Sequence, residues 1–294
     1  MKLFSRFFTP SRLAFLDQSI SLALAEDGRD LTSTAVFRKQ DRLEAEIVSK
    51  EKAIVCGLPI ISLVLQHIGG DISCNLMAKD GETTEPGQVV AELSGGAAKL
   101  LKAERVILNF ICHLSGVASR SRQFCEKAGN FGTKILDTRK TLPGLRYPEK
   151  YAVLVGGGEN HRLDLEEMLM LKDNHIDRCG GIKEAVSALR NTYSPCPPVE
   201  VECRNINEVR EAVAAGADRI MLDNMRPEQI RSLLPLVPQG IETEISGNIS
   251  LKNLAAYAGL GANYISIGSL THSAPAADFS MKIKALNWQS TSRT

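Results

Sequence analysis

The chain has no excess of charge of either sign and few aromatic residues. Lysine and arginine together number 35, aspartate and glutamate 34, so the formal net charge is only +1, and aromatic residues make up 5%. A surface that binds nucleic acid would need a clear excess of basic residues. The charge balance therefore argues against nucleic acid as a partner.

The sequence also lacks a long hydrophobic run. The longest one extends from Ala53 to Leu65 and is interrupted by Gly57 and Pro59, so it falls short of the roughly 20 residues that a transmembrane helix needs. The N-terminal residues contain no apolar segment typical of a signal peptide. We expect a cytoplasmic protein without a membrane partner.

Cysteine spacing gives no sign of a metal site. The seven cysteines form no C-x-x-C pair and lie at no metal-binding distance in sequence from a histidine. Their odd number is typical of a reducing compartment, and zinc is not expected. With 294 residues and a hydrophobic content of 44%, the chain exceeds the usual domain size of about 100 to 200 residues, which predicts one large domain or two fused ones.

The first third of the sequence combines strand and helix patterns. Leu43, Ala45 and Ile47 alternate with polar residues, the segment 88–93 resembles a second strand, and residues 97–128 show apolar residues at helical spacing. We predict a break in that helix at Gly116. Arg105 lies beside a second apolar set on this helix, and burial of a second face predicts contact with another domain or subunit.

After residue 130 the sequence repeats a unit in which a short β-rich run is followed by an amphipathic stretch. Alternation at this spacing indicates βαβ units and a parallel sheet. Because no G-x-G-x-x-G follows the first strand, the pattern favours a closed or nearly closed α/β barrel over a Rossmann sheet. The six β-rich runs are Lys134 to Arg139, Met168 to Lys172, Val199 to Cys203, Arg219 to Asp223, Glu242 to Gly247 and Tyr264 to Ser269.

In such a barrel, the residues at the carboxyl ends of the strands build the active site. Here they form a group of cations, a pair of carboxylates and two loops of small residues that could offer backbone N–H groups to a phosphate. This combination predicts a phosphorylated, multiply anionic small-molecule ligand. The residues are Asp137, Arg139, Lys140, Lys172, Glu202, Asp223, Ser246, Gly247, Asn248, Gly268 and Ser269.

Several of these residues have a structural alternative. Glu200 and Glu202 face the same side of one strand, and Glu202 could be paired with a barrel lysine, since a carboxylate inside a barrel is costly unless paired. Asp223 could cap a helix. His161 could be a satisfied turn histidine. Glu159 adds an acid beside the cations, and the sequence leaves its role open.

The chain resembles the quinolinate phosphoribosyltransferase family over nearly its whole length. The resemblance rests on several motifs that are specific in combination. They are Asp30-Leu31-Thr32-Ser33, Glu104-Arg105-Val106-Ile107-Leu108-Asn109, Leu114-Ser115-Gly116, Asp137-Thr138-Arg139-Lys140-Thr141, Pro143-Gly144-Leu145-Arg146, Lys150-Tyr151-Ala152, Gly156-Gly157-Gly158, Asn160-His161-Arg162, Lys172-Asp173-Asn174-His175, Glu200-Val201-Glu202, Leu222-Asp223-Asn224, Ser246-Gly247 and Thr271-His272-Ser273.

The resemblance implies a type II phosphoribosyltransferase fold. Its N-terminal α/β sandwich domain would cover residues 1–115 and be completed by residues 275–294, and an incomplete α/β barrel of about seven strands would cover residues 116–274. It further implies Mg2+ as cofactor, a homodimer or higher oligomer, and conversion of quinolinate and phosphoribosyl pyrophosphate to nicotinate mononucleotide, CO2 and pyrophosphate in NAD biosynthesis.

The resemblance also implies a role for each site residue. Arg105 would enter the site of the neighbouring subunit, and Arg139, His161 and Arg162 would hold the two carboxylates of quinolinate. The remaining residues would serve the phosphoribosyl donor. Lys140 and Lys172 would meet phosphate and pyrophosphate, Glu202 and Asp223 the ribose hydroxyls and Mg2+, and Ser246, Gly247, Asn248, Ile267, Gly268 and Ser269 the 5-phosphate. Thr138 would also be a substrate-binding residue.

Two alternatives remain at this point. The related ModD-like proteins share the fold and much of the motif set, but usually lack the Asn before His-Arg and the Lys-Asp-Asn-His run, both of which are present here. A noncatalytic anion-binding barrel would retain the phosphate loops and lose the carboxylates at 202 and 223. Both carboxylates are present, which favours catalysis.

Overall fold

The computed structural model describes residues 2–284, apart from the side chain of Asn130. The described residues form two compact units, which are treated separately. The first takes in the residues up to Ser119, Pro143–Gly156 and the residues from Ala274 on, and the second takes in Arg120–Leu142 and Gly157–Ser273. The predicted domain boundaries at 115 and 274 stay a prediction, and their part on residues 285–294 lies outside the described residues.

Secondary structure accounts for most of both units. The helices are α1 Lys2–Phe7, α2 Pro10–Glu26, α3 Leu31–Val36, α4 Leu58–Ile68, α5 Ala97–Ala128, α6 Arg146–Val155, α7 Asp173–Cys179, α8 Ile182–Thr192, α9 Ile206–Ala215, α10 Pro227–Leu233 and α11 Leu254–Ala258, with short 3-10 helices at Gly129–Phe131, Leu234–Leu236 and Gly268–Leu270. The strands are β1 Arg42–Ser49, β2 Ala53–Ile54, β3 Ile72–Leu76, β4 Thr83–Thr84, β5 Val89–Gly96, β6 Lys134–Leu136, β7 Leu169–Leu171, β8 Val199–Cys203, β9 Arg219–Asp223, β10 Glu242–Ser246, β11 Tyr264–Ser266 and β12 Phe279–Ile283.

The first unit is built on an antiparallel sheet in the order β12-β1-β5-β3. Leu43, Ala45 and Ile47 of β1 are buried, as the alternation of apolar and polar residues predicts. The last described strand, β12, pairs with β1 in the register Ala45↔Ile283. The chain therefore returns to this sheet after it has left the second unit.

The N-terminal aromatic residues pack inside the first unit. Phe7 and Phe8 are buried, and their ring centroids lie 5.8 Å and 5.4 Å from that of Tyr151 in α6. The Tyr151 hydroxyl donates to Asp80 (2.7 Å), whose carboxylate also accepts the backbone N–H groups of Gly57 and Leu58 at the start of α4. This helix start is thus capped by a residue distant in sequence.

The predicted break at Gly116 is wrong, because α5 continues through it to Ala128. A Cβ atom at this position would collide with the backbone carbonyl of Pro275. The glycine is required for the close approach of the returning chain and does not end the helix. The predicted helix over 97–128 is otherwise confirmed.

The second unit contains a six-stranded parallel sheet in the order β6-β11-β10-β9-β8-β7. All six strands fall within the runs predicted from the sequence, and helices follow them in alternation. The turns are made locally: Asn205 caps α9 by accepting the N–H groups of residues 207 and 208, and Gly216 ends it in the left-handed region at φ 73°. The predicted fold class is confirmed.

A side-chain contact shows that this sheet curls into a barrel. Glu159 forms a parallel bridge with Leu136 of β6, which adds a seventh position to the sheet next to β6. In a flat sheet this position would lie roughly 24 Å from β8, at about 4.8 Å per strand. Instead His161 Nε2 lies 3.0 Å from Glu200 Oε2 in β8, so the sheet closes on itself with these side chains inside.

Among the described residues, no helix combines the length and the apolar character that crossing a membrane requires.

The Gly116 contact generates a stability prediction. We expect Gly116→Ala to lower the free energy of unfolding by about 1 to 3 kcal/mol, because the added methyl group meets a backbone carbonyl, although alanine is the better helix former. Urea denaturation of purified protein measures this. Gly96→Ala, where a Cβ would meet nothing within 4 Å, is the control and should change little. A Gly116→Ala protein more stable than the parent would contradict the packing argument.

Candidate active site

The predicted site residues of the second unit lie at one edge of the barrel. The registers Ser246↔Asp223, Ser246↔Ser266 and Leu136↔Ser266 bring the carboxyl ends of four strands side by side. Leu171 pairs with Val201, so Lys172 and Glu202 follow at the same level. Parallel strands leave their last residues at a common edge, and the sequence prediction used this property.

Lys172 and Glu202 form an ion pair at this edge. The Lys172 Nζ lies 2.9 Å from Glu202 Oε2, with the lysine side chain half exposed and the glutamate 18% exposed. The structural alternative for Glu202, pairing with a barrel lysine, is therefore observed. Both groups stay accessible enough to exchange this contact for a ligand, since a partly exposed ion pair is weak.

Asp223 heads a chain of polar contacts at the ends of β9 and β10. Asn224 Nδ2 donates to Asp223 Oδ2 (2.6 Å), Asn248 Nδ2 donates to Asn224 Oδ1 (3.2 Å), and the Asn224 N–H donates to the Ser246 carbonyl (2.8 Å). Helix α10 is capped at Arg226, so the alternative that Asp223 caps it is wrong.

The turn after β10 depends on Gly247. Its φ of +103° lies in the region that favours glycine, and a Cβ would collide with the Asn224 side chain. Asn224 and Asn248 themselves have φ values of 54° and 52°, a left-handed conformation that asparagine tolerates better than most residues. Ser246, Gly247 and Asn248, which are all polar or small, thus present backbone atoms at the edge.

The loop after β6 packs on the loop after β11. The Lys140 N–H donates to Thr138 Oγ1 (3.0 Å), and Thr271 Oγ1 donates to the Lys140 carbonyl (2.8 Å). The Lys140 side chain passes so close to Gly268 that a Cβ there would lie 3.1 Å from Lys140 Cδ. The Ile267 N–H donates to the Leu136 carbonyl (2.9 Å), so this amide holds the loop in place and is not available to a ligand.

Arg139 and Arg162 place two guanidinium groups near each other. Arg162 is 9% exposed. Its pKa is lowered, first by burial and then by the positive charge of Arg139. Arg139 Nε is buried without a hydrogen-bond partner among the described residues. Glu200 and Asp164 offset only part of this effect. A buried cation beside another cation remains unfavourable, so this arrangement is suited to a negatively charged ligand.

Arg162 is held by backbone contacts. Its Nη1 donates to the Met168 carbonyl (2.9 Å) and its backbone N–H donates to His161 Nδ1 (2.7 Å). Asp137, which is fully buried, accepts from the Asn160 side chain (2.7 Å) and from the His161 N–H (2.9 Å). These contacts fix segment 160–162 between β6 and β7.

Directly below the edge lies a layer of ionisable groups, which we call the buried charge layer and define as His161, Glu200, Arg219 and Glu244. His161 Nε2 is 3.0 Å from Glu200 Oε2 and 3.5 Å from Glu244 Oε2, and Arg219 Nη1 is 3.3 Å from Glu244 Oε2. Both carboxylates are fully buried. Glu200 and Glu202 point to the same face of β8, so this layer is one strand pleat below the ligand edge.

Burial changes the proton affinity of this layer. Burial, together with the charge of the neighbouring Glu200, raises the pKa of Glu244 to about 7. Burial likewise raises the pKa of Glu200 to about 7, against the opposing effect of Arg219. Glu200 and Glu244 face the same imidazole nitrogen, and two buried carboxylates so close together resist joint ionisation. We infer that the pair retains a proton near neutral pH.

Two groups of residues in the barrel offer side-chain atoms that can bind a metal ion. His161, Glu200 and Glu244 bring one ligand atom each within 4.8 Å of one another, but the Arg219 guanidinium already supplies positive charge there, and the layer is closed to solvent. Glu202 and Asp223 offer carboxylate oxygens at the open edge. Two carboxylates together with substrate oxygens are the donors that Mg2+ takes in phosphate-binding sites, so the edge fits the expected ion.

Two further residues do not belong to this edge. Arg105 belongs to the first unit, where it is exposed on α5. Glu159 lies 2.9 Å from Lys134 Nζ and is about half exposed (46%), so its charge is directed to a surface lysine.

The sequence reasoning missed the buried charge layer apart from His161. The pattern Glu200-Val201-Glu202 signalled a second carboxylate on the interior face. Glu244 and Arg219 could be found only from the pairing of β8, β9 and β10, because neither stands in a motif. Thr271 belongs to the motif Thr271-His272-Ser273, but nothing in the neighbouring sequence predicts its hydrogen bond to the Lys140 carbonyl.

Comparison with protein families gives two matches that together cover most of the chain. Residues 30–115 match the family described as quinolinate phosphoribosyl transferase, N-terminal domain, and residues 117–282 match its C-terminal domain.

Relatives of known name agree with these matches. The chain is 46% identical over 258 residues to the probable nicotinate-nucleotide pyrophosphorylase (carboxylating) of Bacillus subtilis, which covers 88% of this chain and 89% of that protein. Among solved structures, NadC from Streptococcus pyogenes is similar with a TM-score of 0.89 at 39% identity, covering 95% of this chain and 99% of that one. The nicotinate-nucleotide pyrophosphorylase from Francisella tularensis gives 0.88 at 35% identity, with 92% and 96% covered.

The raised carboxyl pKa values generate a prediction about stability and pH. A carboxyl group whose pKa rises from 4.5 to about 7 on folding binds a proton more tightly in the native state, so it favours the native state at low pH. This advantage is lost as the pH rises from the unfolded to the folded pKa. We expect Glu244→Gln to reduce the fall in unfolding free energy between pH 5 and pH 8 by on the order of 1 to 3 kcal/mol, measured by denaturation at several pH values.

Glu242→Gln is the matched control, on the same strand. Partial burial raises the pKa of Glu242, but hydrogen bonds from Arg219 and Tyr264 leave it lowered overall. Its titration therefore lies below pH 5, and this variant should keep the parental fall between pH 5 and pH 8. An unchanged fall in Glu244→Gln would show that the buried pair holds no extra proton.

Proposed function

We propose that this chain, which belongs to the quinolinate phosphoribosyltransferase family, converts quinolinate and phosphoribosyl pyrophosphate to nicotinate mononucleotide, CO2 and pyrophosphate. It is a pentosyltransferase of NAD biosynthesis. The proposal rests on one observation. Two mutually repelling arginines, Arg139 and Arg162, lie at the same barrel edge as the Lys172–Glu202 ion pair. This arrangement suits one dianionic and one polyphosphorylated substrate.

Arg139 and Arg162 hold the carboxylates of quinolinate. A guanidinium can bind a carboxylate through two parallel hydrogen bonds. Arg162 is largely buried, so water screens its charge little. A bound dicarboxylate would remove the repulsion between the two arginines, which favours this substrate over a monocarboxylate.

The remaining edge residues hold the phosphoribosyl donor. Lys140 and Lys172 meet its pyrophosphate, with Thr138 beside Lys140, and Glu202 and Asp223 bind the ribose hydroxyls. The small-residue loops take the 5-phosphate through backbone N–H groups, as glycine-containing loops commonly do. They are formed by Ser246, Gly247 and Asn248 after β10, and by Gly268 and Ser269 after Ile267.

Mg2+ is part of the proposal, with Glu202 and Asp223 as its protein ligands, directly or through the substrate. When bound, the ion supplies charge neutralisation on the pyrophosphate. The partial exposure of both carboxylates supports a site that opens to substrate.

The transfer step depends on charge and position. As the bond from ribose C1 to pyrophosphate breaks, Lys172 and Lys140 stabilise the negative charge of the departing group. The ribose carbon then develops oxocarbenium character, and the pyridine nitrogen of quinolinate attacks it. Arg139 and Arg162 contribute by holding that nitrogen in position.

Decarboxylation follows transfer. Once alkylated, the ring nitrogen carries a positive charge that stabilises the electron pair left on ring carbon 2 when the 2-carboxylate departs as CO2, and a proton from solvent then takes the place of the carboxylate on that carbon. No further cofactor is needed for this step. Loss of CO2 from quinolinate in the absence of the ribosyl donor would refute this order.

A homodimer completes the proposal. Arg105 is exposed on α5 and would enter the site of the partner subunit, where a third guanidinium strengthens binding of the anionic substrates. A cytoplasmic location stays a prediction from the sequence.

The test of the function is product formation by the purified protein. Quinolinate, phosphoribosyl pyrophosphate and Mg2+ should give nicotinate mononucleotide and CO2, whereas nicotinate in place of quinolinate should give little product. A chelator should abolish turnover and added Mg2+ restore it. Lack of product from either acceptor, with both substrates still bound, would move the protein to the noncatalytic or ModD-like alternative.

The phosphate loop generates a prediction at Gly247. We expect Gly247→Ala to raise KM for phosphoribosyl pyrophosphate about tenfold or more, because the methyl group displaces Asn224 beside Asp223. Gly261→Ala is the matched control: Gly261 also has a positive φ (+89°), but a Cβ there meets nothing within 4 Å. Gly261→Ala should lose about 1 kcal/mol of stability from backbone strain, and Gly247→Ala at least as much because of the added collision. Equal KM values in the two variants would contradict the loop assignment.

The shared site generates a prediction about mixed dimers. Arg105→Ala and Arg139→Ala should each lose most activity alone. After co-refolding, heterodimers contain one intact site, so activity should return to roughly a quarter of the parental value.

Refolding Arg139→Ala with Arg162→Ala is the control. Arg139 and Arg162 are proposed to hold the substrate carboxylates in their own subunit's site. Each subunit of the heterodimer therefore lacks one of them, so no heterodimer contains an intact site and activity should stay low. Failure of the first mixture to recover would place Arg105 in its own subunit's site or outside any site.

A further inference from the structure

His161 lies beneath Arg139 and Arg162, the two arginines proposed to hold the substrate carboxylates, and it faces away from solvent. Its side chain is 5% exposed and contacts Glu200 and Glu244 in the barrel interior. The family resemblance implies that this histidine binds a carboxylate of the substrate. The contacts of its two ring nitrogens lead to a different role.

The hydrogen bond at Nδ1 determines the tautomer. The Arg162 backbone N–H donates to His161 Nδ1 over 2.7 Å, so Nδ1 is an acceptor and carries no proton. A neutral imidazole must then carry its proton on Nε2, the nitrogen that lies 3.0 Å from Glu200 Oε2. A doubly protonated ring would place two N–H groups against each other at Nδ1.

The charges around the ring are consistent with a neutral imidazole. Glu200 faces it from β8 and Glu244 from β10, and Arg219 of β9 lies between them. Asp137 reaches segment 160–162 from the end of β6, but its carboxylate is bonded to the backbone N–H of His161 and to the Asn160 side chain. Arg219 already brings a cation to both carboxylates, so the layer does not depend on an imidazolium for positive charge.

We propose that His161 is a positioning residue, a neutral Nε2–H imidazole that fixes the backbone of Arg162 through Nδ1 and whose Nε2 faces Glu200 Oε2 at 3.0 Å. It does not bind the substrate carboxylate. This inference rests on the proposed function, in which Arg162 binds quinolinate.

The role follows from how Arg162 is held. Its backbone N–H is bonded to His161 and its Nη1 to the Met168 carbonyl (2.9 Å), so both ends of the residue are fixed. Loss of the acceptor at Nδ1 would leave a buried N–H group unpaired and would free the start of the arginine. A clamp that binds a planar carboxylate needs its guanidinium within a small angular range.

The first test measures the tautomer directly. In protein labelled with 15N-histidine, the five histidines give separate long-range nitrogen–carbon-proton correlations, and His161→Asn assigns the signal of His161. We expect the pattern of a neutral Nε2–H ring from pH 6 to pH 8. If that variant does not fold, assignment proceeds by removing the other four histidines one at a time. An imidazolium or an Nδ1–H ring at neutral pH would overturn the proposal.

The second test compares two neutral replacements. His161→Asn places an amide oxygen near the position of Nδ1 and can still accept the Arg162 N–H, whereas His161→Gln places its amide near Nε2. We expect kcat/KM for quinolinate to stay within about tenfold of the parent in the Asn variant and to fall about a hundredfold in the Gln variant. KM for phosphoribosyl pyrophosphate should change little in either. Equal losses in both variants would show that the ring acts as a cation and not as an acceptor.

The two tests separate this inference from the proposed function. The tautomer is measured on the parental protein without substrate, so it does not depend on turnover. If the parental protein makes no nicotinate mononucleotide while the Nε2–H tautomer is found, the proposed function fails and the placement of His161 stands. If the protein is active and the ring is charged, only the positioning role fails.

Discussion

Two carboxylates, an imidazole and a guanidinium are buried together in the barrel, and the ligand edge is built directly above them. Burial of charge is costly unless partners are close, so β8, β9, β10 and segment 160–162 must keep the register that brings these groups together. The same register sets Glu202, Asp223 and Ser246 at the edge one pleat higher. A shift of one residue in the register of any of these strands would turn its interior side chains outward. The buried charge layer thus determines the geometry of the site.

Above this layer the electrostatic balance changes sign. The interior holds two carboxylates whose pKa values are raised by burial, whereas the edge holds two neighbouring arginines, Arg139 and Arg162. Arg162 connects the two levels, because its backbone contacts His161 below and its side chain lies near Arg139. Binding of an anionic substrate therefore relieves an unfavourable arrangement that folding has already imposed. Such preorganised charge is the main means by which enzymes stabilise charge in a transition state.

Much of this could be predicted from the sequence because it depends on local patterns. The six strand runs and the edge residues follow from buried β-branched stretches ending in polar residues, and the Lys172–Glu202 pair was foreseen as an alternative. The rest depends on contacts between distant segments. Gly116 looked like a helix break, yet its glycine is required by the chain near Pro275. The seventh barrel position is a single bridge at Glu159, too short for a strand pattern, and Glu244 gains its meaning only from pairing with neighbouring strands.

The chain passes between the two units four times, near residues 119, 142, 156 and 273, and this has a consequence for biosynthesis. All residues of the barrel unit have been synthesised before β12 leaves the ribosome. Until then β1 is an edge strand with an unpaired row of backbone groups, because β12 is its partner on that side within the described part of the chain. Exposed edges of this kind favour pairing with other chains. The last strand of the described residues is therefore the one that covers the edge of the first sheet, and nascent chains stalled before residue 279 should depend most on chaperones.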